Sequence, residues 1–219
     1  MNKGLLASFE GQDAAGKSTT LKLVSEELER NGVSVLTVPE FSSNILGEFI
    51  KSIIEKNKFL RLNVTGPSAI TETMYVLSDL YSQDEFEIKP ALRQGKVVVK
   101  ERHIDSILAC QIPKIVEDYP GSDQHQLLKW LEDSSVQITK PDLTFFLEVD
   151  EEILRKRIIG RGEAVSESDF AVFRERQKIY DRQSAENQNR WLNIPNNGEP
   201  FKVIKLIVSN ILNRINSHS

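Results

Sequence analysis

A chain of 219 residues with 28 Lys and Arg against 32 Asp and Glu, net charge −4, has the length of one or two domains and an ordinary globular composition. The mildly acidic balance, without a Lys/Arg run, argues against a nucleic-acid or polybasic membrane partner, while leaving room for a local basic pocket that takes small phosphates. A single cysteine, Cys110, excludes an internal disulfide and a cysteine-based zinc site, and no apolar run approaches the ~20 residues of a membrane span. The start of the chain turns straight into a strand-like run with no signal peptide before it, so a cytoplasmic protein is expected.

In chain order, Leu5-Leu6-Ala7-Ser8-Phe9 predicts a short buried parallel strand ending at Glu10-Gly11. Over 17–30, Leu21, Val24 and Leu28 fall three and four apart, which predicts an amphipathic helix stopped by Asn31-Gly32. The β-branched run 33–38 predicts a second strand, closed by Pro39. Helices are predicted over about 44–55, with Leu46, Phe49, Ile50, Ile53 and Ile54 on one face, and over about 69–81. Pro90 is expected near the start of the next helix, which Gly95 ends. Val97-Val98-Val99 predicts a third strand, followed by helices over 104–116 and 127–132. After Pro141 come a fourth strand (143–149), a helix (151–159), a longer helix (167–188), a short strand (191–194) and a closing helix (199–215). Strands alternating with helices predict a three-layer α/β fold, a central parallel sheet of about five strands with helices on both faces. No linker or repeat divides it, so one domain over 1–219 is expected, with a charged, glycine-punctuated flap at 160–168.

The run Gly11-Gln12-Asp13-Ala14-Ala15-Gly16-Lys17-Ser18 fits G-x-x-x-x-G-K-[ST] at every fixed position, with an apolar strand before it and a helix after it. The glycines let successive N–H groups wrap a phosphate, and the helix adds its positive N-terminal end. These residues and Thr19 are therefore expected to hold a nucleotide: Lys17 at the β and γ phosphates, the Ser18 hydroxyl on Mg²⁺. This is the loop of the P-loop NTPase fold, and it does not by itself choose among kinases, switches, motors and assembly ATPases. A guanine-reading N-K-x-D is absent from the sequence, and the chain is short for a ring-forming ATPase. A short chain with an arginine-rich flap points to phosphoryl transfer onto a small acceptor.

At these residues the sequence resembles the thymidylate kinase family, over nearly its whole length. Phe9-Glu10-Gly11-Gln12-Asp13 through Lys17-Ser18-Thr19-Thr20 is similar to that family's F-E-G-x-D-x-x-G-K-S/T-T. Ile88-Lys89-Pro90-Ala91-Leu92 matches I-x-P-A-L, and Glu101-Arg102-His103-Ile104-Asp105-Ser106 with Ala109-Cys110-Gln111 resembles D-R-[YF]-x-x-S-x-x-A-Y-Q. Arg155, Arg157 and Gly160-Arg161-Gly162 resemble a lid over about 155–168, and Asp169-Phe170 with Phe173 the acidic-aromatic segment after it. The resemblance implies an ATP- and Mg²⁺-dependent nucleoside monophosphate kinase, dTMP the default acceptor, commonly a homodimer. Ser18 and Glu101 would then manage Mg²⁺, Arg102 would grip the acceptor phosphate, and Asp13, Ser106 and Gln111 would touch the acceptor. Ala14 stands where some members carry a loop arginine, so the transition-state cation would come from the lid. There Arg157 and Arg161, four apart, would share a helical face with Arg155 near the same end.

The donor side fits that family better than the acceptor side. Phe41 follows Pro39-Glu40 where an arginine is usual, Val76 and Leu80 stand in the places of a thymine-stacking Phe and a thymine-binding Arg, and Cys110 replaces a Tyr. A changed acceptor thus stays open. Glu101-Arg102 and Glu40 also resemble deoxynucleoside kinases, in which a Glu takes the proton of the acceptor hydroxyl. A nucleotide-binding regulatory protein that has lost its acceptor site is the reading from a different class.

Overall fold

The strand Leu5–Glu10 (β1) is buried at every residue, as the middle strand of a parallel sheet covered on both faces must be. Its neighbours are β3 (Val97–Glu101) and β4 (Leu143–Glu148), with β2 (Val35–Val38) and β5 (Trp191–Pro195) at the edges. The order is β2-β3-β1-β4-β5 and every pairing is parallel. This computed structural model describes residues 4–54 and 68–217; the expected helix end at Glu55, and His218, lie outside the described residues. Among the described residues no helix is long and apolar enough to cross a membrane.

Alternation along β1 divides the core. Leu5, Ala7 and Phe9 face a cluster built with Leu21, Val24 and Leu28 of α1 (Lys17–Arg30) and Val203, Ile207 and Ile211 of α9 (Pro200–Ser217). Leu6 faces the other side with Val98, Val38, Ile88 and Ala91. That side is completed by α5 (Ile104–Asp118), α6 (Gln124–Ser134) and α8 (Glu167–Glu186), whose Leu108, Ile112, Leu128, Leu131 and Tyr180 pack on Phe146 and Trp191. Trp191 stacks on Phe146 at 5.8 Å, which places it in this part of the core.

The remaining helices are α2 (Ile45–Ile54), α3 (Ala69–Gln83), α4 (Lys89–Arg93) and α7 (Glu151–Gly160). Pro90 stands at the start of a helix, as expected, but no loop separates that helix from α3. Instead α3 passes through one π-helical turn, Asp84–Ile88, into α4, so Pro90 falls at the start of the last turn. The wider turn absorbs the residue that cannot donate to an α-helical ladder.

Register fixes where a ligand can sit. Phe9 pairs with Glu101 on one side and Phe145 on the other, so β1 and β3 end within a residue of each other while β4 runs on past Phe146 to Glu148. The chain leaves β1 into the phosphate loop, β3 into Arg102 and β4 into α7, and the crevice outside those carboxyl ends is the usual ligand place in an open α/β sheet.

Candidate active site

The loop between β1 and α1 is built from backbone that side chains rarely adopt. Gly11 has φ 139, and a Cβ there would lie 2.8 Å from the Leu147 carbonyl oxygen. Gly16 (φ 89) and Ala14 (φ 62) are also left-handed. For Ala14 that conformation costs on the order of 1–2 kcal/mol, and the surroundings hold it. Arg157 Nη1 donates to the Ala14 and Ala15 carbonyls at 3.3 Å each, Arg157 Nη2 to the Asn196 carbonyl at 2.7 Å, and Asn196 Nδ2 to the Ala15 carbonyl at 2.7 Å. Lys17, Ser18 and Thr19 form the first turn of α1, which carries no capping side chain and no acidic residue and so presents its positive end to an anion. Lys17 folds back on the loop, its Nζ 3.3 Å from the Gly11 oxygen and 2.9 Å from the Gln12 oxygen. Burial pushes its pKa down to about 8.

Arg102 is the hub. It lies just past β3 at φ 54, its N–H on the Phe9 carbonyl at 3.0 Å, and only 7% of it is exposed. Its Nη2 meets Asp13 Oδ1 at 2.5 Å, its Nε meets Glu40 Oε1 at 3.2 Å, and its Nη1 donates to the Gly11 carbonyl at 3.0 Å and to Ser106 Oγ at 3.2 Å. Asp13 Oδ2 takes a second guanidinium, Arg176 Nη1, at 3.0 Å. Burial would raise the Asp13 pKa, but Arg102, Arg176 and Lys17 outweigh it and hold the carboxyl well below the usual range. A left-handed arginine persists only where contacts over-determine it, and such outliers concentrate at functional sites.

Beneath Arg102, Glu10 at the end of β1 accepts from the His103 backbone N–H at 2.9 Å and from the Ser106 hydroxyl. Ser106 Oγ lies 2.9 Å from the Tyr180 hydroxyl. Burial first, then the nearby Asp105 charge, raise the Glu10 pKa from 4.5 to about 7. Lys100, fully buried in β3, donates to the carbonyls of Pro39 (2.6 Å), Glu40 (3.0 Å) and Glu101 (3.1 Å), which fixes the backbone that carries Glu40.

Opening from this hub is a cavity of about 250 Å³. Asp13, Ala14, Glu40, Phe41, Val76, Leu80, Arg102, Ser106, Gln111 and Arg161 all line it, so every residue expected at the acceptor shares one wall or another of a single space. Ser106 and Gln111 lie in succession along α5 and make separate contacts: Gln111 Oε1 accepts from Thr73 Oγ1 at 3.4 Å. Cys110 is half-buried on this wall and not in the core.

A family model for thymidylate kinase matches residues 9–207. The chain belongs to the thymidylate kinase family. Its fold is similar to the crystal structure of thymidylate kinase from Ehrlichia chaffeensis, with TM-score 0.67, 22% identity, and coverage of 96% of this chain and 99% of that one. Membership makes the chain a nucleoside monophosphate kinase, and it is the frame for the remaining residues.

The lid arginines expected to act together diverge. Arg155 pairs with Glu151 and Glu167 and lies 4.1 Å over the Phe170 ring, Arg157 clamps the loop carbonyls, and Arg161, at the end of α7, lines the acceptor cavity. Arg161 caps α7 one turn beyond Arg157 and is close enough that, after burial, its charge lowers the Arg157 pKa, whereas Arg155 is turned to Glu151, Glu167 and Phe170. Ser18 Oγ donates to Glu101 Oε1 at 2.7 Å at the loop edge. Two hard oxygens suit Mg²⁺ that arrives with phosphates and keeps several waters. Among the described residues there is no cluster of three His, Cys, Asp or Glu side chains to hold a metal alone.

Several site residues escaped the sequence reading: Arg176, Glu10, Lys100, Lys114 and Asn196. Arg176 had a signal, since Asp169, Phe173, Arg176 and Tyr180 recur at helical spacing and α8 turns that stripe toward the loop, with Gln12 Nε2 on the Phe173 carbonyl at 2.9 Å. The carboxylate in the apolar β1 run was a second signal.

Glu10 yields a pH test. Its folded pKa of about 7 exceeds the ordinary 4.5, so between those values the folded chain binds more protons than the unfolded chain. Stability therefore falls as pH rises from 4.5 to 7 through this group and levels off above 7. Urea midpoints across that window should show this slope in the native chain and lose it in Glu10→Gln; equal slopes in both would contradict the assignment.

Proposed function

We propose that the chain transfers the γ-phosphoryl group of ATP to dTMP, giving dTDP, in one domain over 1–219 with a lid over about 155–168. The observation that carries the reading is the Asp13–Arg102 contact, which joins the phosphate loop to the acceptor cavity at the level where two phosphates have to meet in line. Phosphoryl transfer asks little covalent work of the protein and much positioning and charge neutralisation.

Lys17 exchanges the carbonyls of Gly11 and Gln12 for the donor's β and γ oxygens, and the loop amides and the start of α1 hold the rest. Ser18 and Glu101 hold Mg²⁺, which neutralises phosphate charge. Arg102 keeps Asp13 and gives up Glu40 to take the acceptor phosphate as a fork. Arg161 and, from the underside of the loop, Arg157 supply the cations that act on the transferring group. Asp13, Phe41, Val76, Leu80, Ser106 and Gln111 shape the acceptor side. Because Glu40 lies at the cavity wall beside Arg102, a hydroxyl acceptor is the second reading, with Glu40 as the base. The cytoplasmic setting and the homodimer implied by family resemblance belong to the same proposal. Exposed Ile45 and Phe49 of α2 and Ile70 and Met74 of α3 favour a self-association face. Sedimentation should then give about twice 24.9 kDa, and 24.9 kDa would count against it.

ADP release from ATP and Mg²⁺, measured against all common nucleoside monophosphates and nucleosides, should be stimulated most by dTMP. Lys17→Ala should lose on the order of 10²–10³-fold in turnover with an unchanged urea midpoint. Stimulation by nucleosides alone would favour the second reading. ATP binding with no stimulation by any acceptor would overturn both.

A further inference from the structure

The wall that α3 and α5 give the cavity is poor in polar groups: Val76, Leu80, Ile107 and Cys110 line it. A nucleobase edge buried there would lose its water without replacement, and an unsatisfied polar edge is strongly disfavoured. Beyond Ser106 at the phosphate end, two polar side chains interrupt this wall, Gln111 and Lys114, and both are nearly buried, at 4% and 7% exposed. Lys114 is aimed from behind. Its Nζ lies 3.1 Å from Glu72 Oε2, Glu72 is fully buried, and the other Glu72 oxygen accepts from Ser68 Oγ at 2.7 Å.

Spacing relates this pair to the phosphate end. Glu72, Val76 and Leu80 repeat every four residues on one face of α3, and Ile107, Cys110, Gln111 and Lys114 do the equivalent on α5. Ser106 touches Arg102, and Lys114 stands about 12 Å farther along α5 at ~1.5 Å per residue. That is roughly the length of a nucleoside monophosphate laid with its phosphate at Arg102.

We propose that Lys114, aimed by Glu72, reads the acceptor base by donating to a carbonyl oxygen on the ring edge farthest from the sugar. The assignment rests on the nucleoside monophosphate reading above and adds the residue that selects the base. An ammonium only donates, so the facing ring position has to accept, as the 4-keto group of thymine or uracil does. A 4-amino group would set donor against donor, and cytosine is rejected by that repulsion as well as by the lost bond.

The test compares dTMP with dCMP at saturating ATP in the native chain and in Lys114→Met. The variant should lose about 10- to 100-fold in kcat/KM for dTMP, nearly all of it in KM, while the KM for ATP holds and dCMP is used no worse than before. Removing the lysine alone takes its ion-pair partner from the buried Glu72, so Glu72→Gln/Lys114→Met is measured beside it and should show the same collapse of the dTMP-over-dCMP ratio. A purely structural lysine would weaken both acceptors alike. A ratio that survives in either folded variant overturns the assignment and leaves the kinase reading standing. A native chain that uses no nucleoside monophosphate overturns the kinase reading first and this assignment with it.

Discussion

A guanidinium held between two carboxylates at the end of β3 is the constraint on which the rest of the site depends. Arg102 leaves the sheet in a left-handed conformation, and Asp13, Glu40 and the Gly11 carbonyl together keep it there. Since Asp13 belongs to the phosphate loop and Glu40 to the exit of β2, one side chain ties three strand ends to a common point. The arrangement is electrically poised. Arg102 and Arg176 share Asp13, so both stay charged in a nearly dry place, and an incoming phosphate finds donors already oriented. The buried carboxylate Glu10 reaches this hub through Ser106, and the Tyr180 hydroxyl both through Ser106 and by accepting from Arg102 Nη1 at 3.4 Å, which makes them positioning groups for Arg102.

The electrostatics below the hub follow from burial. His103 is nearly fully buried among Lys100 and Arg190, and burial with those charges pushes its pKa down to about 3, so the ring is neutral. Asp105, in the first turn of α5, is held by Arg190 through two bonds of 2.8 Å each, which pins the start of that helix to the edge of β5. The helix that lines the acceptor cavity is thus anchored at the end nearest the phosphate, and Lys114 stands two turns beyond Ser106.

Much of this was legible in the sequence. The five strands, the closing helices and the phosphate loop are local patterns, and period and glycine placement expose them. The cavity residues Val76 and Leu80 were also placed by their position before the Ile88-Lys89-Pro90-Ala91-Leu92 motif. What the sequence hid depends on tertiary approach. Arg176 reaches Asp13 across 163 residues, and Asn196 reaches the Ala15 carbonyl across 181. No local pattern carries a contact of that separation. In the lid, the spacing of four does bring the Arg157 and Arg161 charges near one another, but it carries no sign that Arg157 donates to the Ala14 and Ala15 carbonyls.

The central claim is that Arg102 exchanges Glu40 for the acceptor phosphate while keeping Asp13. A crystal structure of the chain with dTMP and a non-hydrolysable ATP analogue tests it most directly. The account predicts the dTMP phosphate within hydrogen-bond reach of the Arg102 guanidinium, the Asp13 contact intact and the Glu40 contact gone. A dTMP phosphate bound elsewhere, with Arg102 still joined to both carboxylates, would contradict it.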